Sequence, residues 1–196
     1  FIEVWNPSLQ SVDLSDYYLS DAVYFPNNTG YWNMGGATRN SDTIGGGAFT
    51  DFTARFPEGF TIAAGDTITV SLAGSTKFAN SFGFAPDIEL YEDDAFPDGV
   101  PDMRSVFPTG SSIISAESVP SLTNTGEPVI LFKWTEGSAL ATDVDVFVYG
   151  AAGSHQFSKT GKSVAGSTYL PETAVGSQQP YVTAAIESMT KASPVV

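Results

Sequence analysis

The sequence predicts an all-β fold, a two-sheet sandwich interrupted by two long loop insertions, and three observations carry that expectation. Nineteen glycines and twelve prolines are scattered through segments rich in Val, Ile, Thr and aromatic residues, the punctuation of many short strands joined by turns. Several segments alternate apolar and polar residues with a period of two, the mark of a sheet with one buried face. Helical periodicity is scarce: the best candidate, Val182 to Lys191, is short and weakened by Thr183 and by the Ser and Thr that follow Glu187.

Taken in order, the elements are these. The chain opens in a strand-like segment, Phe1 to Trp5 (FIEVW). The clearest strand is Thr67 to Leu72, where Ile68, Val70 and Leu72 alternate with Thr67, Thr69 and Ser71 after the turn residues AAGD. Val129 to Trp134 is apolar on both faces except at Lys133, as befits a strand covered on two sides or one carrying an aromatic rim. Asp143 to Tyr149 alternates again, with Val144, Val146 and Val148 expected on one face and Asp145 on the other. Between these strands lie two long irregular segments, Asp21 to Asp51 and Lys77 to Ala116. Loops of that length inside a domain are uncommon and often functional.

With 196 residues, 42% of them apolar, the chain reads as one domain, 1–196, in which 171–196 form an extended C-terminal segment. Twenty-two acidic residues against eight basic ones leave a net charge of −14. That balance argues against unaided nucleic-acid binding, which draws its sequence-independent affinity from Lys and Arg neutralising phosphates. The absence of cysteine removes disulfides, thiolate metal sites and cysteine nucleophiles. No apolar run approaches the roughly 18 residues of a membrane-spanning helix.

Four segments, FIEVWNPSLQSVDLSDYYLSD, FPEGFTIAAGDTITVSL, LTNTGEPVILF and DVDVFVYG, occur in an order that resembles the lamin-tail domain. The matching positions include Glu3, Asn6, Pro7, Asp13 to Ser15, Leu19 to Asp21, Pro57, Gly59, Ile62, Gly65, Leu122, Asn124, Gly126, Glu127, Val129, Leu131, Asp145, Tyr149 and Gly150. No one segment is specific; the four in sequence are. The resemblance spans residues 1–21, 56–72, 121–134 and 143–150 and implies an immunoglobulin-like β-sandwich without catalytic machinery. Bacterial members look like modules of secreted or surface proteins, sometimes beside nuclease or phosphatase domains. The chromatin contacts of nuclear members do not carry over to a chain this acidic. Such domains usually begin one strand earlier than FIEVW, so the expectation is either a truncated edge or an edge filled by another chain through strand addition at Phe1, Ile2, Glu3, Val4 and Trp5.

Three constellations are candidates for chemistry or binding. The stretch YEDDAFPDGVPDM, Tyr91 to Met103, places Asp93, Asp94, Asp98 and Asp102 near a glycine and two prolines. Calcium takes about six to eight oxygen ligands of this type, although the spacing is not that of an EF-hand loop, and a solvated loop stiffened by proline is the commoner outcome. A catalytic carboxylate pair is the third reading, and no spacing in a sequence identifies one. The rings of Tyr24, Phe25, Tyr31 and Trp32, interleaved with Asn27, Asn28 and Asn33, suit sugar stacking or a protein hot spot; the competing reading is that they pin a long loop to the sandwich. His155 is the sole histidine, and Ser154 beside it would face the other way in an extended segment. The Gly45–Gly47 triplet lacks the Lys that a phosphate-binding loop requires.

What the lamin-tail resemblance implies is therefore a non-enzymatic structural or interaction module of an extracellular or cell-surface protein. Its expected partners are proteins, among them copies of itself in a homo-oligomer or filament, with carbohydrate as a second class and calcium as the only candidate ion. The alternative is an accessory targeting domain of a larger secreted hydrolase, such as a nuclease or phosphatase.

Overall fold

The computed structural model describes residues 1–23, 30–35, 51–90, 98–105, 121–151 and 155–178. In chain order they form β1 (Ile2–Trp5), β2 (Val12–Asp13), β3 (Tyr17–Ser20), β4 (Thr53–Arg55), β5 (Thr61–Ile62) and β6 (Thr67–Ser71). The helix α1 (Ser75–Phe82) follows, then β7 (Ile88–Glu89), β8 (Arg104–Ser105), β9 (Pro128–Lys133), β10 (Thr142–Val148), β11 (Ser163–Val164) and β12 (Ser167–Thr168). A 3₁₀ turn occupies Val175–Ser177.

The strands assemble into a three-stranded sheet, ordered β1-β6-β7, and a five-stranded antiparallel sheet, ordered β10-β9-β3-β4-β8. Two short ribbons, β2-β5 and β11-β12, flank them. Val4, Ile68, Val70 and Ile88 from the small sheet meet Leu19 and Ala54 from the large one, with Phe52, Phe56, Leu90 and Met103 filling the space between. Two sheets sharing one apolar core make the chain an all-β sandwich.

The large sheet has a second core on its other face. Tyr18, Ile130, Phe132 and Trp134 point there and are covered by Tyr31, Trp32 and Met34 and by Val164 and Tyr169. The side chains of β9 divide accordingly, Ile130 and Phe132 to this core and Leu131 to the first. That division accounts for a strand apolar on both sides. In β6 the expected Ile68 and Val70 face the inter-sheet core. Thr69 and Ser71 on the opposite face are buried as well.

Two local expectations are corrected. Residues 75–82 form a helix inside a segment that read as irregular, in which Phe78 and Phe82 fall one turn apart and pack with tilted rings 4.6 Å between centroids. Gly83 closes it in the left-handed conformation, its N–H donating to the Ala79 carbonyl. In β10, strict alternation fails at a β-bulge: Asp143 pairs with Phe132 and Asp145 with Leu131, so Val144 is the extra residue. Val144 is exposed, and Asp143 takes the face shared with Val146. The helical candidate Val182 to Lys191, the Gly45–Gly47 triplet and most of the 171–196 segment lie outside the described residues.

Candidate functional site

The segment Phe1 to Trp5 supplies β1, which lies at one edge of the small sheet. β1 is the terminal strand of its sheet and, among the described residues, pairs only with β6, with Ile2 opposite Val70 and Trp5 opposite Thr67. Val4 points into the core, whereas Phe1 and Trp5 on the other face are 48% and 56% exposed. The Trp5 indole N–H donates to the Gly65 carbonyl at 3.3 Å, which fixes its ring beside the edge. Phe1 meets Phe78 and Phe82 of α1 edge-on, at centroid separations of 5.5 and 5.0 Å. Phe84 stacks edge-on against Phe78, and both Phe82 and Phe84 remain about half exposed. A strand edge that no other described strand pairs with thus lies next to a patch of accessible aromatic rings.

The other proposed contact rings fall elsewhere. Tyr31 and Trp32 are buried in the second core and present no face to a partner, because they close the outer side of the large sheet. Tyr24 and Phe25 lie outside the described residues, as do Asp93 and Asp94.

Asp98 and Asp102 are described, and they converge on a residue that the sequence did not single out. Glu89, on β7, is fully buried. One of its carboxylate oxygens accepts the Ser75 N–H at the start of α1, and the other has no hydrogen-bond partner among the described residues. The Ser75 hydroxyl donates to Asp98, whose second oxygen accepts the Val100 N–H at 2.7 Å. Residues 101–103 run beside β7, with Glu89 N–H donating to Pro101 and Met103 N–H to Glu89. Burial, reinforced by the charges of Asp98 and Asp102, pushes the Glu89 carboxyl up to about 8. The exposed Asp98 moves the other way, its carboxylate favoured by the Ser75 hydroxyl and the Val100 amide. Among the described residues, no group of three or more His, Cys, Asp or Glu is placed to share a metal ion. Glu89 had a faint sequence signal, a lone acid between Ile88 and Leu90.

A second polar cluster, centred on a buried lysine, joins residues that the sequence gave no reason to group. The β10 bulge turns Asp143 towards the second core, where one oxygen accepts the Tyr31 hydroxyl at 2.7 Å and the other contacts the Lys159 ammonium. Lys159 is 2% exposed. Its Nζ also lies 2.5 Å from a Glu172 carboxylate oxygen and 5.6 to 5.8 Å from the ring centroids of Tyr31, Phe157 and Tyr169. The Tyr169 hydroxyl accepts the Ala141 N–H and donates to the Trp32 carbonyl. Burial, aided by Asp143, raises the Tyr31 phenol well above its ordinary range, and burial pushes Tyr169 up to about 12. Three elements far apart in sequence are thereby fastened at one ammonium group. His155, by contrast, sits against Gly126 and Gly150, and Ser154 is outside the described residues.

No family model matches the chain, and no curated protein does. Among solved structures, the fold is similar to the crystal structure of a DUF4876 family protein from Bacteroides thetaiotaomicron VPI-5482, at 15% identity and a TM-score of 0.47. The match covers 79% of this chain and 48% of that one, so the chain spans about half the length of that protein. Among the described residues, no helix is long and apolar enough to cross a membrane.

Proposed function

We propose that the chain is a non-enzymatic structural module of an extracellular or cell-surface protein that associates with further copies of itself by strand pairing at β1. The observation that carries this reading is the β1 edge, flanked by exposed Phe1, Trp5, Phe82 and Phe84. Unpaired edges are normally blunted by charge, proline or a covering element, and apolar rings around one mark a contact surface. Strand addition supplies main-chain hydrogen bonds, and the rings supply apolar burial around them. The extracellular setting rests on the lamin-tail resemblance of the four segments described above.

Sedimentation velocity over a wide concentration range tests the proposal. Reversible self-association is expected for the wild type and its loss for Trp5→Lys and Phe82→Lys, two exposed positions where charge leaves the core intact. A wild type that stays monomeric throughout would overturn self-association. Oligomers unaffected by both substitutions would place the interface elsewhere.

A further inference from the structure

We propose that Lys159 and Asp143 are the two halves of an intramolecular isopeptide bond, formed by the folded chain on itself with Glu172 carrying the protons. The geometry has what amide formation needs: an amine and a carboxyl in direct contact, and a second carboxyl against the same nitrogen. An enclosure of Tyr31, Phe157 and Tyr169 rings keeps the amine away from solvent. In water an amine and a carboxylic acid remain a pair of ions. Here the amine itself is held out of water while the Asp143 and Glu172 carboxyls reach it from a partly open side, their side chains 25% and 31% exposed, and Glu172 supplies the proton transfer that produces the neutral, reactive pair. Holding the two groups together also replaces a bimolecular encounter with an intramolecular one, the largest entropic term that a folded protein can contribute to a condensation.

The step balances without any co-reactant. Glu172 takes a proton from the Lys159 ammonium and passes it to the Asp143 carboxylate, leaving a neutral amine beside a carboxylic acid. The Nζ lone pair attacks Cγ of Asp143, and the Tyr31 hydroxyl, already donating to that carboxylate, stabilises the negative charge that develops on its oxygen. Glu172 removes a second proton from nitrogen and delivers it to the departing hydroxyl. The Nζ–Cγ bond forms, the Cγ–O bond breaks, and one water leaves. Nothing is oxidised or reduced.

The arrangement is also more elaborate than a fastening would need. A surface ion pair would hold residues 155–172 to the sheet, yet here the lysine is almost wholly buried, and a β-bulge turns Asp143 to meet it. An amide between them would close residues 143–159 into a covalent ring around one edge of the large sheet.

Intact-mass measurement of the purified, denatured wild-type chain decides the matter without any variant. The expected mass is that of the sequence less one water. Trypsin is then expected not to cleave after acylated Lys159, giving a single peptide, Trp134 to Lys162, one water light and resistant to fragmentation between residues 143 and 159. Lys159→Arg, which keeps the charge and cannot form the amide under these conditions, is expected at its full sequence mass. Glu172→Gln is expected to remain largely unreacted. A wild type at full sequence mass overturns the proposal. So does a lost water located elsewhere, for instance as an imide at Asp98–Gly99. A Glu172→Gln chain that links as fast as the wild type would overturn the part assigned to Glu172.

Discussion

Gly126 and Gly150 lie back to back, each occupying the space that a side chain on the other would need. A Cβ on Gly126 would come within 2.5 Å of the Tyr149 carbonyl oxygen and 2.7 Å of the Gly150 Cα, and one on Gly150 within 2.6 Å of the Gly126 Cα. Both residues have positive φ, 136° and 106°. The obstacles are backbone atoms, which cannot swing aside. Gly126→Ala and Gly150→Ala are each expected to destabilise by at least about 1–3 kcal/mol from backbone strain alone. Urea unfolding monitored by tryptophan fluorescence checks this. A loss below about 0.5 kcal/mol at both positions would refute the close approach.

The buried Glu89 makes stability depend on pH in a stated direction. Its folded value of about 8 lies above the ordinary 4.5, so between these limits the folded chain holds a proton that the unfolded chain has released. Its contribution to stability is therefore fully present below about pH 4.5 and declines as pH rises towards 8, by on the order of 5 kcal/mol across the window. Glu89→Gln imitates the protonated acid. Compared with the wild type, it is expected to flatten the fall in melting temperature between pH 5 and 8, and an unchanged slope would rule Glu89 out as its source. Asp21, raised chiefly by its own burial, acts in the same sense and is the reason for comparing slopes rather than absolute values.

Two single-residue deletions in β10 separate a bulge from a register. Val144 is the extra residue, flanked by Asp143 opposite Phe132 and Asp145 opposite Leu131. Its deletion brings two residues that already face opposite sides into direct succession, as a regular strand requires. Deleting Val146 instead flips the neighbouring side chains between faces. The first variant is expected to unfold cooperatively with a near-native circular dichroism spectrum, the second to lose it. The reverse order would show that the bulge is misassigned.

Asn6, in the NP step after β1, is buried, and its side-chain amide donates to the carbonyls of Gln10, Ile62 and Ala63 while its oxygen accepts the Ser8 N–H. Asn6→Ala removes all four bonds, leaving the Gln10 and Ile62 carbonyls with only the Ser8 and Ser11 hydroxyls, and is expected to cost about 1–3 kcal/mol. Asn6→Asp should be worse, since it sets a carboxylate against three carbonyl oxygens. Chemical denaturation of the two variants gives the comparison, and equal stability with wild type in both would contradict the bonding.

Much of the sandwich was legible because its strands carry local, periodic signals. The alternation at Ile68 and Val70 and the two-sided apolar run around Ile130, Leu131 and Phe132 each correspond to a distinct packing environment. The helix at 75–82 was not legible: eight residues rich in Ser, Thr and Asn have weak intrinsic preference for a helix, and contacts with Phe1 and Glu89 from elsewhere in the fold accompany it. The bulge hid the orientation of Asp143, since one inserted residue inverts every parity argument upstream of it. Of the two polar clusters, the acidic one was half visible through Asp98 and Asp102 and lacked its buried member. The Lys159 cluster was invisible, because Tyr31, Asp143, Lys159 and Glu172 meet only once the second core has formed.

The double coverage of the five-stranded sheet has a bearing on how such a chain can change over evolutionary time. With cores on both sides, neither broad face can acquire a new specificity by substitution without disturbing the packing of one core. Variation that leaves the fold standing is confined to the strand rims and the intervening loops, where residues can be exchanged, lengthened or charged almost independently of each other. A scaffold so constrained would be expected to diverge in its outline long before it diverges in its centre.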